Sequence, residues 1–237
     1  MATQVLTNSK LWMSEYDLSG YLNSIAVDYS AEMLDDTVFG DSTRSRKGGL
    51  KTAAMSLAGF WESVPDGFLF DHVGNSGEPM SAAPQTGADG EVAFTMAATG
   101  SEYSANGAIG DLYAFSVTGE SSEDLVKGTI MHNNTRTTSG NGTARQLGAV
   151  SSTQKLYCAI HVITASGTSP TLDVIIQSDD NGSMTTPVTA ATFTQATGIT
   201  SEWVEVDGAL TDDYFRVNYT IAGTSPSFEF IVILGIL

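Results

Sequence analysis

Short segments in which apolar and polar residues alternate recur along the chain, separated by clusters of glycine, asparagine, aspartate and serine. Residues 22–29 and 51–61 alternate in this way, and residues 91–98 and 112–118 continue the pattern at short spacing. A period of two between turn clusters is typical of strands that bury one face. We therefore predict an all-β chain, a β-sandwich or barrel followed by a second small β-sandwich, with at most one short helix. Residues 122–127 are the candidate helix, although they could equally form a strand.

A weak internal repeat marks the second half of the chain. Residues 165–175 resemble residues 221–231, and both segments contain Gly-Thr-Ser-Pro. In each copy an alternating segment, residues 155–163 or residues 214–221, enters this motif and an apolar segment leaves it. Glycine supplies an unusual φ and proline ends strand pairing, so the repeat predicts two equivalent hairpins in a C-terminal sandwich. A propeller or solenoid would need more copies.

The chain length allows one large β-domain or two modest ones, since 237 residues exceed the usual size of a small domain. Glycine and small polar residues cluster at 133–142, which indicates a loop or a seam between two halves. We predict an N-terminal assembly domain at residues 1–130 and a C-terminal β-sandwich at residues 131–237. The boundary could lie anywhere from 120 to 142.

The charge balance excludes a conventional nucleic-acid-binding protein. Ten lysine and arginine residues stand against 27 aspartate and glutamate residues, a formal net charge of −17. Binding to phosphates depends on lysine and arginine, which are far outnumbered by acidic residues in this chain. Hydrophobic residues make up 41% of the sequence, enough to form a packed core.

The sequence contains no segment that is predicted to insert into a membrane. The longest apolar run, residues 230–237, is shorter than the ~20 residues that a membrane-spanning helix needs, and it is typical of a buried closing strand. Residues 1–10 lack the basic segment and apolar core of a signal peptide. We therefore expect a soluble protein made in the cytoplasm.

A search for catalytic or metal-binding patterns gives no positive result. His72, His132 and His161 do not have metal-ligand spacing, and His161 lies in an alternating segment that favours a structural role. Cys158, the single cysteine, is in an apolar run and is expected to be buried and inert. No nucleophile elbow, phosphate loop or dinucleotide motif is present. We therefore expect no enzyme activity, no catalytic residue, no cofactor and no metal.

Two weaker binding signals have simpler structural explanations. Residues 179–182, Asp-Asp-Asn-Gly, lack the spacing of a calcium loop and match a hairpin turn better. Trp203, Tyr214 and Tyr219 could stack against sugars if exposed, but their strand-like surroundings predict buried rings.

The charge layout of residues 28–51 is the most informative local feature. A run of acidic residues is followed at once by four of the ten basic residues. The charges could neutralise one another in a solvated loop, or the basic end could contact acidic surface on another copy, where complementary charge fixes register. The candidate contact residues are Asp35, Asp36, Asp41, Arg44, Arg46 and Lys47.

Three segments, residues 16–29, 31–41 and 48–62, follow one another in a distinctive order. The first has Asp-Leu-Ser before an alternating strand, the second is an acidic Asp-x-Thr-x-Phe-Gly-Asp loop, and the third runs from Gly-Leu-Lys to Gly-Phe-Trp. This order resembles the opening of tail tube (major tail) proteins of long-tailed bacteriophages. Segments of the second half are similar to C-terminal regions of related phage structural proteins, namely residues 142–150, 213–217 and 223–230.

The resemblance implies a tail-tube-like β-sandwich or barrel that forms hexameric rings stacked into a tube, with the C-terminal domain outside. Loops between early strands bridge the rings in that family, which would place residues 33–49 at the contact. The implied partners are other copies of the chain and tail proteins such as the tape measure and terminator, in a virion tail assembled in the host cytoplasm. DNA would pass through without specific binding, and an acidic lumen would repel its phosphates. The alternatives are a capsid decoration protein, a neck or tail adaptor ring, and a glycan-binding β-sandwich.

Overall fold

The structure, a computed structural model, describes residues 6–237. These residues form fourteen strands and one short helix, which confirms the prediction of an all-β chain. The helix, α1, is Ser63–Asp71. The strands are β1 (Lys10–Met13), β2 (Tyr16–Asp17), β3 (Leu22–Asp35), β4 (Arg46–Phe60), β5 (Glu78–Ala83), β6 (Val92–Asn106), β7 (Ala114–Ser121), β8 (Val126–Arg136), β9 (Gly140–Asn141), β10 (Arg145–Gln146), β11 (Lys155–Asp179), β12 (Val188–Thr192), β13 (Thr200–Asp207) and β14 (Tyr214–Ile236).

The helix lies elsewhere than the sequence indicated. Residues 122–123 form a bend, residues 124–125 have no regular structure, and Val126 and Lys127 begin β8, so the helical alternative for this segment was wrong. Leu125 and Val126 are buried, because β8 continues into the sheet beside β6. The helix that does form has Pro65 in its first turn, where the missing N–H has no helical partner to lose.

The N-terminal half is built around a sheet in the order β3–β4–β7–β6, with β5 and β1 continuing from β6. One face of β4 and β7 carries large apolar side chains, which pack against β1, β5 and α1. The helix contributes Phe68, whose ring lies 3.7 Å from that of Tyr16. The largest fully buried side chains of this core are Leu11, Leu18, Met55, Leu57, Leu69, Met80 and Met96.

The C-terminal half is a sandwich made by two long strands that bend together. β11 and β14 pair antiparallel from Leu156↔Ile236 at one end to Asp179↔Tyr214 at the other. Their outer neighbours are β13 and β8 on one side of the bend and β12, β9 and β10 on the other. The two layers enclose an apolar core that includes Phe215, Phe228 and Phe230.

The two Gly-Thr-Ser-Pro copies form this bend together, so the prediction of two equivalent hairpins was wrong. Thr168 pairs with Thr224, and the strands flanking one motif pair with those flanking the other. Gly167 and Gly223 have φ of +116° and +120°, and a Cβ atom on either would lie 2.8 Å from a carbonyl oxygen of the opposite motif. The repeat therefore reflects two chain segments that turn the same corner in contact with each other.

The two halves share a sheet and a small apolar cluster. β8 pairs with β6 of the first half and with β14 of the second. This strand runs through residue 130, and the division into two domains at that residue stays a prediction. Residues 133–136 belong to β8, so the expected loop at 133–142 begins only after this strand. Trp12 packs in the shared cluster beside Ile130 and Ile231.

A buried histidine joins the halves. The ring of His161 on β11 lies between Ser14 and Ser81, with Nδ1 2.6 Å from the Ser14 carbonyl oxygen and Nε2 2.9 Å from Ser81 Oγ. Because a carbonyl only accepts, Nδ1–H is the donor and Nε2 accepts from the Ser81 hydroxyl. This arrangement confirms the structural role predicted for His161.

Candidate assembly surface

The hairpin of β3 and β4 extends beyond the rest of the sheet. β7 pairs with residues 54–60 of β4, whereas residues 46–52 pair only with β3 among the described strands. We call residues 30–52 the arm and residues 36–45 its tip. At ~3.4 Å per residue, the paired part of the arm projects about 20 Å. A two-stranded hairpin is at best marginally stable alone, so this geometry favours a partner for the arm.

The tip is ordered by its own hydrogen bonds. Asp35 accepts hydrogen bonds from the backbone N–H and hydroxyl of Thr37, and Asp41 accepts one from the backbone N–H of Val38. The Ser45 N–H donates to Thr37 Oγ1 at 3.0 Å across the turn. These bonds hold the turn in one shape before any partner binds, which lowers the entropy cost of a contact.

The structure brings all six predicted contact residues into the arm, where several neutralise one another. Lys47 Nζ lies 3.0 Å from Asp36, and Arg44 lies 3.9 Å from Asp35. The Lys47 ammonium lowers the pKa of Asp36, while the Thr37 hydroxyl lowers that of Asp35. Arg46 makes no ion pair with any residue in 6–237. The role of these residues in an inter-subunit contact remains a prediction.

The arm also exposes large apolar side chains that the charge pattern did not reveal. Phe39 at the tip is 109% exposed, and Val38 beside it is also exposed. Met33, Leu34 and Leu50 extend the apolar surface along both strands. The arm contains four acidic and four basic residues, so it is neutral overall in a chain of net charge −17. A neutral, apolar projection from an acidic subunit can bind another copy without charge repulsion at the contact.

The face of the β3–β4–β7–β6 sheet that points away from the core carries only small or acidic side chains along three cross-strand rows. The register places Asp28, Ala54 and Glu120 in one row. The next row aligns Ser56 with Thr118, whose hydroxyl oxygens are 3.4 Å apart. We call this surface the small-residue face; its members are Ser24, Ala26, Asp28, Ala54, Ser56, Ala58, Glu102, Ser104, Ser116, Thr118 and Glu120.

Two strands of the same sheet have unpaired edges. β3 pairs with β4 alone, and residues 102–106 of β6 pair with β7 alone, among the strands formed by residues 6–237. An unpaired edge presents free backbone donors and acceptors, which can pair with another chain. Because the two unpaired edges lie on opposite sides of one sheet, identical subunits can join edge to edge, and such a contact can close into a ring.

The other candidate residues are accounted for by packing. Cys158 is fully buried, and burial raises the pKa of its thiol. His132 is buried against the rings of Tyr219 and Phe230, and burial lowers its pKa to about 4. The His72 Nδ1 atom contacts the Glu78 carboxylate. These surroundings hold the side chains within cores or strand contacts rather than open clefts.

The proposed sugar-stacking residues are not presented as an open platform. Tyr219 is buried, while Trp203 and Tyr214 are half-buried. Trp203 packs 5.7 Å from the Tyr157 ring and donates its indole N–H to Glu205. Asp179 ends β11, and residues 180–182 open the turn toward β12, as predicted.

Comparison with known proteins gives remote similarities only. A chain of the virion of a native gene transfer agent (GTA) particle matches with 16% identity and a TM-score of 0.41, covering 53% of this chain and 98% of that one. The phage SPP1 Dit (gp 19.1) protein, described as a paradigm of the hub adsorption apparatus in phages infecting Gram-positive bacteria, matches with 12% identity and a TM-score of 0.41, covering 98% and 100%. The tail of an empty GTA particle with C6 symmetry matches with 15% identity and a TM-score of 0.35, covering 45% and 81%.

The similarity does not extend to sequence families. No protein-family model matches the chain, and no curated protein matches it. Within residues 6–237, no helix combines the length and apolar character needed to cross a membrane.

Proposed function

We propose that this chain is a non-enzymatic structural protein of a phage-type tail, which assembles into rings that stack to form the tail tube. The observation that carries the proposal is the arm: a neutral hairpin with an exposed apolar tip, projecting from a strongly acidic subunit. In an isolated monomer such a projection would leave apolar surface exposed to water without any compensating contact.

Ring closure is supported by the two unpaired edges of the N-terminal sheet. Pairing β3 of one copy with residues 102–106 of β6 in the next would continue the sheet around the ring. A head-to-tail contact of this kind closes when its rotation divides a full turn, and closure removes both edges. The resemblance in sequence implies six copies.

The small-residue face is the surface best suited to line the lumen of the tube. Its only charged members are Asp28, Glu102 and Glu120, so DNA phosphates would meet repulsion and no lysine or arginine along this surface. Short side chains leave the surface smooth. Repeated around stacked rings, this face would form a conduit through which DNA slides without specific binding.

Stacking is the role of the arm, and the C-terminal sandwich would lie on the tube exterior. The virion tail is the proposed location, with tape measure and terminator proteins as partners at the tube interior and end. The same ring without stacking would serve as a neck or tail adaptor, and binding to a capsid surface would indicate a decoration protein.

We expect Arg46→Glu to weaken self-association, because Arg46 adjoins the tip and, like Lys51, has no ion partner within residues 6–237. Sedimentation velocity across protein concentration should show a loss of about tenfold or more in apparent affinity, the size of one charge-assisted contact turned repulsive. Lys127→Glu is the matched control, since it makes the same charge change at an exposed position outside the arm. Raising salt should favour assembly of the wild type, since screening reduces repulsion between acidic subunits.

Equal self-association of the two variants would contradict a specific role for the basic residues. A wild-type chain that stays monomeric at every concentration and salt would contradict the proposed function itself.

A further inference from the structure

A second exposed apolar surface lies at the end of the N-terminal sheet opposite the arm. Phe60 ends β4, and it pairs with Ala114 at the start of β7, so the loop of residues 107–113 lies beside it. The backbone N–H of Trp61 donates to the Tyr113 carbonyl oxygen at 2.8 Å, and the two rings are 6.1 Å apart. We call this surface the base patch; its exposed members are Phe60, Trp61, Val64, Ile109, Leu112 and Tyr113.

The base patch is held in place by its surroundings although its side chains face solvent. The Trp61 indole N–H donates to Asp66 at 2.7 Å, and the Tyr103 hydroxyl donates to the same carboxylate. Burial, with the hydrogen bond to the Asp66 carboxylate, raises the pKa of Tyr103 to about 12, so this phenol keeps its proton and its hydrogen bond. Ile109 is 108% exposed on this ordered base, an exposure comparable with that of Phe39 at the tip.

Charge complements the apolar character of the two surfaces. The arm carries Arg44, Arg46, Lys47 and Lys51, whereas no lysine or arginine occurs between Lys51 and Lys127. Glu62 and Asp111 are exposed beside the base patch. The arm is neutral overall, but two of its cations, Arg46 and Lys51, have no ion partner within residues 6–237. Their acidic, apolar counterpart on the same chain is the base patch, at the opposite end of the same strands.

The tip cannot reach the base patch of its own chain. The two surfaces are separated by the length of β4, since the tip precedes Arg46 and the patch begins at Phe60. Surfaces that are complementary but lie at opposite ends of one subunit join successive copies head to tail.

We propose that the base patch is the socket that receives the arm tip of a second copy of this chain. This inference rests on the proposed function and specifies its stacking contact: Val38 and Phe39 pack against Trp61, Ile109 and Leu112, while arm cations face Glu62 and Asp111. Each subunit uses its arm toward one neighbour and its base patch toward the other, so the contact repeats along the tube axis.

Disulfide cross-linking tests the contact directly. The only native cysteine, Cys158, is buried, so introduced cysteines will be the reactive pair. The double variant Ser42→Cys/Ala108→Cys changes two exposed positions on the tip and beside the base patch and keeps Phe39 and Ile109 in place. Assembled and mildly oxidised, it should give a ladder of dimers, trimers and longer chains on a non-reducing gel. Each single variant should give at most dimers, and an equal mixture of the two singles should give mixed dimers without a ladder.

The control pairs Ser42→Cys with Val188→Cys, which is exposed on β12 of the C-terminal sandwich and should give no ladder. If the Ser42→Cys/Ala108→Cys variant assembles in sedimentation but gives no ladder, the socket is overturned while the proposed function stays intact. An absence of assembly in the wild type would overturn the proposed function, so the two failures are distinguishable.

Discussion

A chain in which residues 36–45 are replaced by Asn-Gly is expected to fold normally and to lose stacking. The last arm pair, Asp35 and Arg46, is then joined by a two-residue turn of the kind that closes hairpins. No residue of the tip is buried, so the core loses nothing. Burying Val38 and Phe39 in a neighbour would contribute about 3–5 kcal/mol per contact, so assembly should weaken by about 100-fold or more.

The point variant Phe39→Ser should reproduce most of this loss, measured by sedimentation velocity beside the shortened chain. Val188→Ser is its matched control, because it removes an exposed apolar side chain from an edge strand of the other half. Thermal unfolding of all three variants should coincide with that of the wild type. Undiminished assembly of the shortened chain would show that the arm is not the stacking element.

Native stability is expected to fall steeply as the pH drops below neutrality, because buried histidines must stay neutral. Burial lowers the pKa of His161 from 6.5 to about 4, against the opposing effect of its hydrogen bond to Ser14. The unfolded chain therefore takes up a proton between these values before the folded chain does. The stabilisation is complete above pH 6.5 and is lost as pH falls toward 4, by about 3 kcal/mol in all and about 2 kcal/mol by pH 5.

Protonation would also reverse the hydrogen bond at Nε2, which now accepts from Ser81. Urea unfolding from about pH 8 to about pH 5 measures the effect, with His161→Gln as the comparison. At about pH 8 the variant should be less stable than the wild type, and it should lose less stability between about pH 8 and about pH 5. The loss that remains in the variant is the contribution of His132, whose pKa is also lowered to about 4. A pH dependence as steep in the variant as in the wild type would exclude His161 as its source.

Local patterns allowed prediction of strand character but not of strand pairing. The alternation around Met55 and Leu57 predicts a half-buried strand, and both side chains are fully buried. The Gly-Thr-Ser-Pro motifs predict a change of direction, which occurs at Gly167 and Gly223. A turn motif does not specify whether a strand returns beside itself or bends together with another strand. That choice depends on contacts between β11 and β14, which are distant in sequence.

The candidate site was only partly visible for a similar reason. Charges at residues 35–47 stand out in a chain poor in lysine and arginine, and they do lie in one projecting hairpin. Within residues 6–237 no third strand lies beside the arm, which leaves Phe39 exposed, and no local pattern encodes that arrangement. Its position in a glycine- and aspartate-rich turn was the available signal, because such turns are usually polar. The base patch joins Trp61 to Tyr113 across a sheet, so it required the register of β4 and β7.

Electron microscopy of the purified protein, in negative stain and across protein and salt concentration, tests the central claim most directly. The account predicts hollow tubes, or rings that stack as concentration and salt rise, with the shortened-arm chain giving unstacked rings. Closed rings that never stack would contradict the tube and favour an adaptor. Particles that remain monomeric under all conditions would contradict self-assembly altogether.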